Sequence, residues 1–275
     1  MKKLITRGGF YVFLLAFAGI SFFPVIWLFI TSIKPYQEIY QFPVVYIPSS
    51  IVISNYITVF TRHAFSRFFM NSVVVSISST AICVLLSSCA AYGLSRFKLK
   101  QSGLILFIIL GFSTFPFIAS VIPLFAYFRD LGLLNTYFSL ILPYTAFNIP
   151  FCVWLTTAYY KEVPVSLEDV AKLDGLSRTQ ILFQIFMPLS APVLAAVCII
   201  TFVNCWNEFL FALTMISRNT MRTIPAGIAL FPGEYDFPWD TISAAACLSI
   251  VPIIVFILLF QKMIISGLTS GSVKY

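Results

Sequence analysis

Six long apolar stretches run through this chain and leave few folds open to it. They span Phe10–Ile33, Phe68–Leu94, Leu104–Phe128, Tyr137–Tyr160, Leu189–Met215 and Thr241–Phe260, and Glu208 is the only acidic or basic side chain in any of them. An apolar run of about 18 residues or more is long enough to cross a bilayer as a helix. In lipid each backbone N–H and C=O must find its partner inside the segment, so a helix is what such a run forms. The polar residues within these stretches are mostly Ser, Thr and Asn, which bond within a helix or to its neighbours. Composition agrees, with 60% hydrophobic and 10% charged residues against about 25% charged in a soluble domain. The expectation is an all-α integral membrane protein of six transmembrane helices, built as a single domain over residues 1–275.

The net charge of +7 invites a nucleic-acid reading, but the distribution of the basic residues excludes it. Lys2, Lys3, Arg7, Arg96, Lys98, Lys100, Lys161, Lys172, Arg178, Lys262 and Lys274 all fall on one side if the six spans alternate. The opposite side receives Lys34, Arg62, Arg67, Arg129, Arg218 and Arg222, in part from longer loops. Cytoplasmic loops carry the excess of Lys and Arg, which puts both termini in the cytoplasm. The first apolar run is longer than the roughly 7–15 residues of a signal-peptide core and has no small-x-small site after it, so it is expected to be a retained span. Cys83, Cys89, Cys152, Cys198, Cys205 and Cys247 all lie within spans, where cysteine acts as a small packing residue.

Several catalytic classes are excluded by what the chain lacks. His63 is the single histidine, so neither a two-histidine metal site nor a membrane-depth Ser-His-Asp triad can be assembled. There is no GxxxxGK[ST] phosphate loop. The chain is expected to bind no cofactor and no metal, and any nucleotide energy must come from a separate subunit.

Between spans four and five, residues 161–188 form a polar interruption containing SLEDVAKLDGLSRTQILFQIFMP. Ser166 followed three residues later by Asp169 predicts a capping box, with a helix starting at Leu167. Gly175, just after Asp174, supplies a left-handed stop. Ser177 and Gln180 cap a second helix, which Pro188 is expected to end. Two capped helices meeting at a glycine suggest a docking surface.

On the outer side, Lys34–Arg67 reads as an extended arm plus a short interfacial helix. Residues 217–240 form an external loop rich in Pro, Gly and aromatics, long enough to be functional; an interfacial aromatic belt is the other reading. Pro116 and Pro123 in span three, and Pro143 and Pro150 in span four, predict bends. In span five Glu208 lies about seven residues from the outer end, roughly 10 Å inside at the helical rise. Thr201, Asn204, Asn207 and Glu208 share one helical stripe. An intramembrane carboxylate marks a pathway or an inter-helix contact.

The polar interruption is similar to the EAA loop of ATP-binding-cassette importer permeases, whose pattern falls here on Asp169, Val170, Ala171, Gly175, Ile185, Met187 and Pro188. Asp169, Val170 and Met187 stand where the pattern has Glu, Ala and Leu. From about Asn55 onward, stretches such as SSCAAYGLSRFKL, WNEFLFAL, IPAGIALFPGEY and GLTSGSVKY resemble the six-span second permease of carbohydrate importers of the maltose and multiple-sugar type. The resemblance implies a type I importer permease fold in a bacterial or archaeal cell membrane. It also implies a second, homologous permease and a cytoplasmic ATPase dimer that holds ATP and Mg and docks on the hairpin. A sugar-binding protein would dock outside, its cleft entered by Glu234, Tyr235 and Asp236. Disaccharides or oligosaccharides are the implied cargo. A permease for another solute, or a secondary transporter, is the alternative.

Overall fold

A computed structural model describes residues 2–97, 99–231 and 237–270, with the side chains of 10–263 inside those ranges. Every regular element among them is helical. In chain order these are α1 (Lys2–Ser32), α2 (Tyr36–Ile39), α3 (Ser54–Thr61), α4 (Phe65–Arg96) and α5 (Ser102–Ser113). A 3₁₀ turn (Phe117–Ser120) leads into α6 (Val121–Asp130), followed by α7 (Phe138–Glu162), α8 (Val165–Leu173) and α9 (Arg178–Ile181). A π turn (Leu182–Phe186) then leads to α10 (Met187–Leu189), α11 (Ala191–Asn207), α12 (Leu210–Met215), α13 (Ile224–Ala229) and α14 (Trp239–Ser270).

Four helices are long and apolar enough to cross a membrane alone: Phe10–Ser32, Phe65–Arg96, Phe138–Glu162 and Trp239–Met263. The expected third span is not a straight helix: Ser102–Ser113 and Phe117–Asp130 meet at 84°. The second bent pair joins Arg178–Leu189, almost all of it in the polar interruption, to Ala191–Asn207 of the expected fifth span at 81°. Counting each bent pair as one crossing brings the total to six. The first break has a local cause. Pro116 sits in extended backbone (φ −60°, ψ 112°) and pushes the residue before it out of the α region. Ser113 and Thr114 turn their hydroxyls back onto the carbonyls of Leu110 (2.6 Å) and Gly111 (2.7 Å), satisfying groups the break frees. Pro143 and Pro150, by contrast, remain inside one continuous α7.

The chain divides into two compact units, Met1–Ser66 with Ile228–Val251, and Arg67–Gly227 with Pro252–Tyr275. In the first, the segment after α1 is pinned to the end of that helix. Asn55 donates to the carbonyls of Ser32 (3.0 Å) and Lys34 (3.3 Å), and the Ser32 and Tyr56 hydroxyls meet at 2.7 Å. The buried Lys34 ammonium lies 4.8 Å from the Trp27 ring and donates to the Val45 carbonyl. Ring face and carbonyl thereby replace part of its lost hydration. The expected short helix of this segment is present as α3.

The second unit has two main apolar cores. One gathers Leu140 and Tyr144 of α7 with Phe211, Ala212 and Met215 of α12 and Phe128 of α6. The other gathers Ala91 and Tyr92 of α4, Tyr160 of α7, and Ala171, Ile181 and Phe186 of the polar interruption. Cys83, Cys152 and Cys205 are buried thiols, as expected, and all six cysteines are free.

Candidate coupling hairpin and polar cleft

The first hairpin helix starts earlier than the sequence predicts. Val163 and Pro164 are extended, and α8 begins at Val165 with Pro164 at its N-cap. Ser166 is therefore already helical, and the Ser166–Asp169 capping box does not form. Proline, which lacks the N–H that a helix start leaves unpaired, takes over the boundary.

The other end of α8 is as expected. Gly175 has φ +84°, Leu176 donates to the Ala171 carbonyl and Gly175 to that of Lys172, both at 3.0 Å. These two bonds define a Schellman motif, which closes the last carbonyls of the helix. The second box is also present. Ser177 N–H donates to Gln180 Oε1 (2.8 Å), and Gln180 N–H returns to Ser177 Oγ (3.4 Å).

Pro188 does not end the second helix. The helical path continues through the π turn to Leu189, and the 81° bend falls at Ser190. Widening the turn just ahead of Pro188 accommodates a residue that cannot donate. Pro192 then occupies the opening turn of α11, a position where its fixed φ suits a helix start.

Ala171 is buried, with Ile185 and Met187 packed against the same cluster as Tyr92, Tyr160 and Phe186. Asp169, Val170, Asp174 and Pro188 are exposed. The hairpin is anchored by residues that sequence reasoning did not select. Arg96, at the end of α4, donates to the carbonyls of Tyr160 (2.8 Å) and Val163 at the end of α7. A cation at a helix C-terminus is favourable. Its guanidinium lies 4.7 Å from the Phe186 ring, and its Nε is 3.6 Å from Glu168 Oε2, with both side chains about 5% exposed. Glu168 also receives the Tyr92 hydroxyl (3.3 Å) and the Lys172 ammonium (2.9 Å). The hydrogen bond to Glu168 holds the Lys172 pKa above its usual range. One arginine thus ties together α4, the end of α7, α8 and the π turn. The sequence carried one weak signal, the Glu168–Lys172 pair at i, i+4.

The outer face of α8 is bare and apolar. Val165, Leu167, Val170 and Leu173 are 59%, 44%, 57% and 87% exposed. Leu167, Val170 and Leu173 follow one another at three-residue spacing, so they share a side of the helix.

In span five the stripe divides. Thr201 is fully buried, its hydroxyl 3.2 Å from Cys152 Sγ, and it lies outside the cleft that takes the other three residues. Asn204, Asn207 and Glu208 line a cavity of about 390 Å³ with Asn148, Phe117 and Phe147. Glu208 does not sit in a continuous helix. α11 stops at Asn207, Glu208 is extended (φ −66°, ψ 128°), and the chain restarts as α12. The carboxylate accepts the N–H groups of Phe211 (2.9 Å) and Ala212 (3.2 Å) and the Tyr144 hydroxyl (2.5 Å). Backbone unwound at membrane depth must find partners, and this side chain supplies them. Asn148 donates to the Tyr144 carbonyl (2.8 Å) and accepts from Asn204 (2.9 Å). Sequence reasoning missed Tyr144 and Asn148, because nothing local marks them as Glu208's neighbours. Glu234, Tyr235 and Asp236 lie outside the described residues.

Four helices long and apolar enough to cross a membrane, with two further pairs bent at a break, place the chain in the class of multi-pass membrane proteins. The family model described as "binding-protein-dependent transport system inner membrane component" matches residues 83–270, and the chain belongs to that family. The chain is 41% identical to the sulfoquinovosyl glycerol transport system permease protein SmoH of Agrobacterium fabrum, over 92% of this chain and 88% of that one. It is 38% identical to the trehalose/maltose transport system permease protein MalG of Thermococcus litoralis, over 94% and 93%. Among solved structures, a bacterial ABC transporter importing the acidic polysaccharide alginate superposes with a TM-score of 0.79. That match is at 25% identity and covers 95% of this chain and 97% of that chain.

Proposed function

We propose that this chain is one of two permease subunits of an ATP-driven carbohydrate importer, carrying disaccharides or oligosaccharides by alternating access. A homologous permease forms the other half of the pathway. A cytoplasmic ATPase dimer, which holds ATP and Mg, rests against the α8 face, and a sugar-binding protein docks outside over the Ser217–Asp240 loop. Both termini are cytoplasmic, in keeping with the segregation of basic residues. This subunit binds no cofactor itself. SmoH, MalG and the alginate importer belong to carbohydrate or glycoside systems, which supports the cargo class.

The observation that carries the coupling role is the pairing of a bare apolar face with a rigid mounting. Val165, Leu167, Val170 and Leu173 are exposed among the described residues, and the helix that bears them is closed at its C-terminus and clamped by Arg96. Apolar side chains presented on a rigid element are what an interface core uses. Leu173→Glu should leave the permease in the membrane and abolish co-purification of the ATPase and sugar uptake together. Full ATPase retention with this variant would reject the docking role. A topology reporter fused after Tyr275 should report the cytoplasmic side, and uptake by the assembled complex from a panel of sugars and non-sugar solutes tests the cargo class.

A further inference from the structure

Resting on the carbohydrate reading, we infer that the cleft around Glu208 is a sugar subsite on this subunit, one that takes an uncharged glycosyl ring and rejects an anionic one. At about 390 Å³ the cavity falls at the small end of the roughly 300–1,000 Å³ typical of small-molecule sites, suited to a single ring of a longer chain. Its walls combine the two surfaces a pyranose requires. Phe117 and Phe147 meet edge to face, with centroids 4.6 Å apart, and electron-rich ring faces attract polarised C–H groups. The same cavity is lined by the amides of Asn148, Asn204 and Asn207 and the carboxylate of Glu208. Each amide can make up to about four hydrogen bonds. Asn204 donates one to Asn148, and Asn207 donates one to the Val203 carbonyl, so both exposed amides have donors and acceptors left for hydroxyls.

The selectivity follows from charge. Among the described residues lining the cavity there is one acid and no base. Glu208 accepts three hydrogen bonds from within the protein, all from N–H and O–H groups and none from a cation. A uronate or sulfonate brought beside it would face a like charge with no cation to offset it. The cleft is also rigidly built, since Glu208 closes the helix break and Tyr144, the donor to it, is buried in the core. Hydroxyl groups, which donate and accept, meet no such penalty.

The test uses the assembled complex in lipid nanodiscs and two photoreactive probes that differ only at C6, 4-azidophenyl glucoside and 4-azidophenyl glucuronide. The glucoside should label peptides containing Asn148 and Asn204–Glu208, and excess maltose should suppress that labelling. The glucuronide should label them at least about tenfold less. Asn204→Leu with Asn207→Leu, both exposed positions, should cut glucoside labelling about fivefold or more while assembly persists. Asn207→Lys should raise glucuronide labelling, a change that a purely structural role would not produce. Equal labelling by the two probes, or labelling unchanged in the double variant, overturns the inference. ATP-driven sugar uptake by the wild-type complex, measured in parallel, reports separately on the carbohydrate reading: uptake without labelling of the cleft rejects the subsite alone.

Discussion

Removing the charge of Glu168 is the perturbation that most directly examines how the hairpin is held. Glu168→Gln keeps acceptors for the Tyr92 hydroxyl and the Lys172 ammonium but deprives Arg96 of its buried counter-charge. Breaking a buried ion pair from one side costs about 3–5 kcal/mol. Two features place this pair at or below the low end. The Nε–Oε2 separation is 3.6 Å, an ionic contact without a hydrogen bond at Nε, and Arg96 retains the two α7 carbonyls. A loss of about 2–3 kcal/mol corresponds to a roughly 30- to 150-fold shift in the equilibrium between seated and released hairpin. Hydrogen exchange of the Val165–Phe186 amides in nanodiscs should speed up by that factor, while exchange in α7 stays unchanged. The double replacement Arg96→Met with Glu168→Leu leaves no unpaired charge, so it should cost less than the two single changes added together. Strict additivity, or unchanged exchange in Glu168→Gln, would show that packing by Phe186 and Ile181 alone seats the hairpin.

Three further outcomes follow. A Cβ at Gly175 would meet nothing within 4 Å, so only its φ of +84° opposes substitution; Gly175→Val should cost about 1 kcal/mol or more and weaken ATPase retention, whereas Gly175→Asn should largely preserve both. At Gly227 the limit is space, since a Cβ would lie 2.3 Å from the Phe68 ring; Gly227→Ala should cost about 1–3 kcal/mol in thermal unfolding, and Phe68→Leu should recover part of it. His63 stacks on Phe231 at 3.9 Å, and burial, then the Arg62 charge, lowers its pKa below the usual 6.5. Its folded pKa being the lower one, the stack is fully stabilising above about pH 6.5 and weakens as pH falls toward the folded value. Exchange in Ser54–Thr61 should therefore rise on acidification, and His63→Phe should abolish that dependence.

The sequence by itself determined the elements that local chemistry controls. Apolar length marked stretches long enough to cross, because a bilayer sets how many residues a crossing needs, and four of them are unbroken helices. Gly175 and the Ser177–Gln180 box fell where predicted, because a left-handed stop and a capping box are decided within a few residues. The tertiary structure decided the rest. Whether Glu168 or Asp169 turns inward depends on Arg96, more than 70 positions earlier in the chain. Ser166 yielded its capping role because the path out of α7 delivers Pro164 to the helix start first. Glu208 reads as one acid on a continuous polar stripe, yet its carboxylate closes a helix break with the help of Tyr144, 64 residues away. Periodicity along one helix cannot reveal such partners. A buried charge and an unwound amide are each too costly to leave alone in a membrane protein, and what satisfies them is supplied by whichever distant helix the fold brings alongside.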